Sequence, residues 1–214
     1  MNKGIIFDLD GTLLSTEADL TNAINTMLVQ IGCPELSEDI VKSYLGNGIR
    51  TLVERSLPLD KHENLEQAIH VFHEAYAQCY MDMTKPYPGI LEVVSTAQAN
   101  GYRLAVVSNK SQRYLDDLVA KYFPMIHFDC VYGESSTQKT KPHPQGIEQA
   151  LAAMNCKAED TFMVGDSIVD IETAVTCGLK GLPVAWGFQS EHTLARKAQK
   201  DVVKNPLDLL QSFI

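Results

Sequence analysis

No two cysteines of the 214-residue chain stand in a Cys-x-x-Cys spacing, and the five present (Cys33, Cys79, Cys130, Cys156, Cys177) are odd in number and far apart. This excludes a disulfide framework and a structural zinc site, and fits free thiols in a reducing compartment. Positive charge is also scarce: 18 Lys and Arg stand against 27 Asp and Glu, for a formal net charge of −9. Binding to nucleic acid or to an anionic membrane needs a basic surface, so neither is expected. A single anionic ligand is still permitted, because a metal ion and a few placed lysines reverse the sign of one site. No apolar run is long enough to span a bilayer, and the chain reaches Asp8 after only a short apolar run. We therefore expect neither a transmembrane segment nor a signal peptide, and a cytoplasmic location. Internal repeats and low-complexity tracts are absent. The 45% hydrophobic and 21% charged composition is that of an ordinary globular protein, long enough for a full core and a smaller accessory domain.

The most informative stretch is Ile5-Ile6-Phe7-Asp8-Leu9-Asp10-Gly11-Thr12. Ile5 to Phe7 read as a strand buried on both faces. It stops at two carboxylates one residue apart, and an unpaired ionised group is costly to desolvate there. One reading is a plain turn, since Asp and Gly both favour turns. The other is a ligand site, because open α/β sheets bind ligands outside the carboxyl ends of their strands. A metal cation with a phosphate beside it would keep both carboxylates in place.

After Leu14 the pattern turns helical. Thr16-Glu17-Ala18-Asp19 reads as a helix start with a hydroxyl cap and first-turn acids, followed by Leu20, Ile24, Met27, Leu28 and Ile31 at helical spacing. Ser37 to Leu45 and Asn47 to Leu57 read as two further helices. Asp60-Lys61-His62-Glu63 reads as a capping box opening the longest one, whose stripe is Leu65, Ile69, Phe72, Tyr76, Cys79 and Met83. Four helices with short connections predict a small bundle inserted at residues 15–83. Lys85-Pro86-Tyr87-Pro88-Gly89 reads as the return linker. Strands are then predicted at Arg103 to Val107, Cys130 to Tyr132, Thr161 to Val164 and Leu182 to Trp186. Helices follow at Ser111 to Lys121, Pro144 to Met154, Ile168 to Cys177, Glu191 to Lys200 and Leu207 to Ser212. The expected fold is α/β: a doubly wound, mainly parallel, Rossmann-like core formed by residues 1–14 and 84–214.

The strong core strands end in polar groups: Asp8 and Asp10, then Ser108-Asn109-Lys110, then Gly165-Asp166-Ser167 with Asp170 after it. Lys141-Pro142-His143-Pro144 precedes the last of these. Parallel strands bring such ends to one edge, where hard oxygen ligands suit Mg²⁺ and the serine, amide and lysine suit phosphate oxygens. These four segments, in this order and with a helical insertion after the first, resemble the haloacid dehalogenase-like hydrolases across nearly the whole chain. Gly46-Asn47-Gly48, followed by Leu52, Arg55 and Leu57, is similar to the phosphoglycolate phosphatase branch.

The resemblance implies an Mg²⁺-dependent hydrolase of a small phosphorylated metabolite, phosphoglycolate first among them. Nucleotide, sugar-phosphate or pyrophosphate phosphatases, a phosphomutase and a non-catalytic relative are the alternatives. In the implied scheme Asp8 is the nucleophile and Asp10 the general acid and base. Lys141, Ser108 and Asn109 face the phosphoryl oxygens, and Thr12 assists near the nucleophile. Asp8, Asp166 and the Asp10 carbonyl hold the metal, with Asp170 outside the direct ligand set. Gly46, Asn47, Gly48 and Arg55 are expected at the substrate. Assembly is expected to be a monomer or a homodimer. His70 and His73 share a helix face at i, i+3, but no third ligand is evident, and solvated histidines are the simpler reading. His143 reads as incidental. Trp186-Gly187-Phe188 reads either as a flank of the site or as core.

Overall fold

The computed structural model describes residues 2–213. The chain begins with β1 (Asn2–Phe7) and a two-residue strand β2 (Leu14–Ser15). Four helices follow: α1 (Glu17–Gln30), α2 (Glu38–Tyr44), α3 (Gly48–Ser56) and α4 (Leu65–Cys79). The return segment forms β3 (Lys85–Pro86). Beyond it come α5 (Ile90–Ala99), β4 (Arg103–Ser111), α6 (Gln112–Tyr122), β5 (Cys130–Glu134), α7 (Gln145–Met154) and β6 (Cys156–Gly165). The chain continues with α8 (Ile168–Cys177), β7 (Lys180–Pro183), α9 (Glu191–Ala198) and α10 (Leu210–Phe213).

Five strands form one parallel sheet in the order β5-β4-β1-β6-β7. β1 lies at the centre, and the chain builds outward first on its β4 side and then on its β6 side. β1 therefore sits at the topological switch point, where strand ends diverge and leave a crevice. Alternation along the strands divides the apolar residues between two layers. Ile5, Phe7, Leu104 and Val106 pack with Ile90, Val93, Val94, Leu115 and Leu118 on one face. Ile6, Ala105, Val107 and Met163 pack with Ile147, Ala150 and Met154 on the other. Among the described residues no helix is long and apolar enough to cross a membrane.

The helices α1 to α4 bury their own cluster, including Leu20, Ile24, Met27, Leu52, Phe72 and Tyr76. Tyr114 of α6 is inserted into that cluster, so the helical layer is docked on the sheet layer. The helical segment leaves and returns through the antiparallel pair β2–β3, with Leu14 opposite Pro86 and Ser15 opposite Lys85.

Several local expectations are corrected. Thr16 precedes α1, but its hydroxyl makes no cap and has no hydrogen-bond partner among the described residues. Asp60 to Glu63 do not form a capping box; they lie in a 3₁₀ turn, Leu59–Asn64, before α4. Met83 falls beyond the end of α4 and is exposed, so the buried stripe is Ala68, Phe72 and Tyr76. Helix α5 has no counterpart in the sequence reading, and β4 and β6 are longer than expected. The last strand ends at Pro183, three residues before Trp186.

Asp19 illustrates what tertiary context adds. It reads as a first-turn acid favoured by the helix dipole, yet it is fully buried. Its carboxylate accepts the backbone N–H of Met83 (2.9 and 3.1 Å) and of Thr84 (2.8 Å), tying α1 to the return segment. Removing the acceptor strands two inward-facing donors. Asp19→Ala is expected to destabilise the fold by about 2–3 kcal/mol, and Asp19→Asn, which keeps one acceptor oxygen, by about half as much, measured by urea unfolding.

Candidate active site

The carboxyl ends of β1, β4 and β6 meet at the crevice beside β1. Asp8 follows the last residue of β1 and Asp166 the last of β6, while Ser108, Asn109 and Lys110 lie near the end of β4. Asp170 sits in the first turn of α8, and Lys141 in the loop before α7. All seven side chains are buried.

Lys141 is the hub. Its Nζ lies 2.7 Å from Asp170 Oδ1 and 3.1 Å from Asp8 Oδ1. Burial works against the Lys141 ammonium, but Asp170 and Asp8 outweigh it and hold the group above the usual lysine range. The other Asp170 oxygen accepts from the Ser167 hydroxyl (2.6 Å) and amide (3.1 Å), closing a capping box at the start of α8. Asp170 is thus both a helix cap and the group that aims Lys141.

Among the described residues Asp166 has no cationic partner. It accepts from the Thr12 hydroxyl (3.0 Å) and the Phe188 amide (2.7 Å). Thr12 is held in turn by the Trp186 indole, which donates to its carbonyl (3.0 Å). The backbone wraps so tightly that a Cβ at Gly11 or at Gly187 would collide with the Asp166 carboxylate. Burial, with Asp170 and Asp8 nearby, holds Asp166 well above the ordinary carboxylate range. Burial likewise pushes Asp8 up to about 6, although Lys141 pulls it down.

Carboxylate oxygens of Asp8, Asp166 and Asp170 all lie within 4.8 Å of one another. Counting Asp10, four carboxylates at this edge face two ammonium groups, Lys110 and Lys141. The remaining two negative charges match one divalent cation, and an all-oxygen donor set suits Mg²⁺. The residues present therefore fit the metal expected from the sequence.

A cavity of about 40 Å³ opens above this edge and meets the helical layer. Its walls are Asp8, Asp10, Ser108, Asn109 and Lys110 below, and Leu20, Leu45, Gly46, Gly48, Ile49, Leu52 and Tyr76 above, with Phe188 at the side. Gly46 and Gly48 thus reach the site. Asn47 and Arg55 are exposed and do not line the cavity. Two other residues have partners different from those expected. The Asn109 amide donates to the carbonyls of Gly46 and Lys141 and accepts from the Lys141 amide, so it positions backbone. The Thr12 hydroxyl donates to Asp166. His70 and His73 lie in a surface groove with Glu74 and Arg113, away from this edge.

Sequence reasoning gave Tyr76 no place at the site, named Lys110 only as part of the Ser108-Asn109-Lys110 strand end with no role of its own, and read Trp186-Gly187-Phe188 as either a flank of the site or core; the structure puts all three segments at the site. Lys110 directly follows Ser108-Asn109 at a strand end, so the argument that selects those two reaches it as well. Tyr76 carried no signal beyond a phenol on an apolar stripe.

The family model for haloacid dehalogenase-like hydrolases matches residues 5–184. A phosphoglycolate phosphatase from Nitrosospira multiformis is 34% identical over 191 residues, 87% of this chain and 84% of that relative. One from Aquifex aeolicus is 33% identical over 188 residues, 86% and 85% of the two chains. The fold is also similar to a crystal structure from Lactobacillus delbrueckii subsp. bulgaricus, with a TM-score of 0.92 at 28% identity, covering 100% of this chain and 99% of that one.

The charge imbalance generates a prediction in the metal-free protein. Asp8 titrates from an ordinary 3.8 to about 6 on folding, so between those values the native state keeps a proton that the unfolded chain has lost. Stability in EDTA should therefore fall as pH rises from about 4 to about 6, by about 3 kcal/mol from this group. Mg²⁺ should restore it at pH 7, by about 2.7 kcal/mol at a hundredfold excess over its dissociation constant. Asp166→Asn should abolish most of that increment; urea midpoints with EDTA or Mg²⁺ decide the matter.

Proposed function

The chain belongs to the haloacid dehalogenase-like hydrolases, and on that footing we propose that it cleaves a small phosphomonoester, phosphoglycolate foremost, through an aspartyl-phosphate on Asp8 with Mg²⁺ as cofactor. The observation that carries this reading is the buried Asp8–Lys141–Asp170 chain with Asp166 beside it and Asp10 two residues on.

In the proposed reaction a carboxylate oxygen of Asp8 attacks phosphorus, and the bond from phosphorus to the leaving oxygen breaks. Asp10 gives its proton to that oxygen, so the alcohol departs neutral. Asp10 then takes a proton from the water that attacks the phosphorus of the aspartyl-phosphate, releasing phosphate and restoring Asp8. Lys141 stays on the nucleophile throughout, and the Ser108 hydroxyl lies beside the same carboxylate. Asp8, Asp166 and the Asp10 carbonyl would hold Mg²⁺, which would supply charge neutralisation for the nucleophile and the phosphoryl group.

Two features support a small, anionic leaving group. A cavity of about 40 Å³ has room for roughly three water-sized groups. The first backbone N–H groups of a helix lack intrahelical acceptors. At α3 the preceding Asn47 makes no side-chain cap, while Gly46, Gly48 and Ile49 line the cavity. A glycolate carboxylate would complete those donors. We take residues 15–83 as the cap that closes over the site and excludes bulk water. Free thiols support a reducing, cytoplasmic setting for this activity.

The test is phosphate release from a panel of phosphometabolites, with Mg²⁺ or EDTA. Phosphoglycolate is expected to give the highest kcat/KM. Asp8→Asn is expected to lower turnover by about 10³-fold or more. Weak activity spread over many esters would remove phosphoglycolate, and no release from any ester would remove the phosphatase assignment.

A further inference from the structure

Lys110 is buried at the base of the cavity, 100 residues distant in sequence from the carboxylate it meets. Its Nζ donates to Asp10 Oδ1 (3.0 Å) and Oδ2 (3.2 Å), and to the Tyr76 hydroxyl of α4 (2.7 Å). An ammonium has three protons, and here all three have acceptors inside the protein. Lys110 therefore has no donor left over for a substrate oxygen while these contacts stand. Its own main chain is fixed by its place in β4 and by the hydrogen bond its N–H donates to Ser108 Oγ (3.3 Å).

Asp10 contrasts with Lys110. Its only side-chain partner among the described residues is Lys110, and its side chain is 19% exposed, against 2% for the lysine. A carboxylate at the end of a loop turn can rotate about its own side-chain bonds unless something holds both oxygens. Holding both leaves one acceptor position on each oxygen for proton traffic with the cavity. Proton transfer requires hydrogen-bond geometry at the reacting oxygen, so this orientation matters more for an acid or base than for a structural ion pair.

We propose that Lys110 is a positioning residue for Asp10, and that Tyr76 makes this positioning depend on the helical layer being docked. The phenol is the sole side chain of α1 to α4 hydrogen-bonded to Lys110 among the described residues. When α4 is in place, the third donor is satisfied and the ammonium is fixed over Asp10. When α4 moves away, that donor is released and the lysine gains freedom to leave the carboxylate. The acid is thus set only under a closed cap, which matches proton donation to the presence of an enclosed substrate.

The proposal rests on the assignment of Asp10 as acid and base, and the experiment separates the two. An aryl phosphate such as p-nitrophenyl phosphate expels a stable phenolate and needs little proton donation, whereas an alkyl ester such as phosphoglycolate needs it. The quantity to measure is the ratio of kcat/KM for the alkyl ester to that for the aryl ester, since kcat/KM covers the steps through leaving-group departure. Lys110→Met is expected to lower that ratio by roughly 10²-fold, the lower range of general acid catalysis, and Tyr76→Phe by about tenfold. Tyr76→Phe removes a single hydroxyl and keeps the ring packing, so it reports even if Lys110→Met fails to fold. A ratio unchanged in Tyr76→Phe, and in Lys110→Met where that folds, overturns the proposal, even if overall activity drops. A wild-type protein that cleaves no ester of the phosphometabolite panel, p-nitrophenyl phosphate included, overturns the phosphatase reading itself, and the proposal with it.

Discussion

The structure turns on an electrostatic imbalance at the carboxyl edge of β1. Four carboxylates converge there on two lysines, in a crevice where an uncompensated charge is costly to hold. Everything close by is arranged to keep that imbalance in place. Ser167 and the first turn of α8 hold Asp170, Thr12 and the Phe188 amide hold Asp166, and Asn109 anchors the backbone of Lys141. A well-packed apolar cluster would be easier to stabilise. What the imbalance leaves is a net negative site that one divalent cation would neutralise, with the lysines already engaged by the carboxylates.

The sheet accounts for how such a cluster is assembled from segments far apart in sequence. β1 at the switch point has β4 on one side and β6 on the other, so three strand ends deliver their polar residues to one crevice. The helical layer is then fastened to the sheet layer at several places of different character. Asp19 binds the return segment, β2 pairs with β3, Asn109 reaches Gly46, and Lys110 reaches Tyr76. The last two lie at the site, the first two at the point where the chain crosses between layers.

Much of this was legible in the sequence. The apolar run ending at Asp8, the alternation after Gly89 and the helical periodicity before it all rest on local patterns, and the α/β core follows from them. The polar residues at strand ends were found for the same reason, since a buried strand has no packing use for them. What escaped was decided by long-range contact. Asp19 looked like a dipole acid because the backbone N–H groups that donate to it, those of Met83 and Thr84, are more than sixty residues away. Tyr76 looked like core because its ring is core; only its hydroxyl reaches the site. Asn109 was read as a phosphate ligand because its neighbours in sequence are site residues, whereas its amide is taken up by main chain. Arg55 lies on the wrong side of a helix whose first turn does reach the cavity.

Tyr114 bears on how substrate could enter. Its ring belongs to the sheet layer by chain position but to the helical layer by packing, 4.9 Å from Tyr76 and 5.1 Å from Tyr80 between centroids. Lifting the helical layer clear of the sheet would draw this ring out of an apolar socket, and exposing an aromatic side chain of 150–250 Å² costs roughly 4–6 kcal/mol. A rolling movement about the ring avoids that cost, because the socket travels with its ball. The ring is therefore a contact between the layers that any displacement of the helices must either keep seated or bring into water.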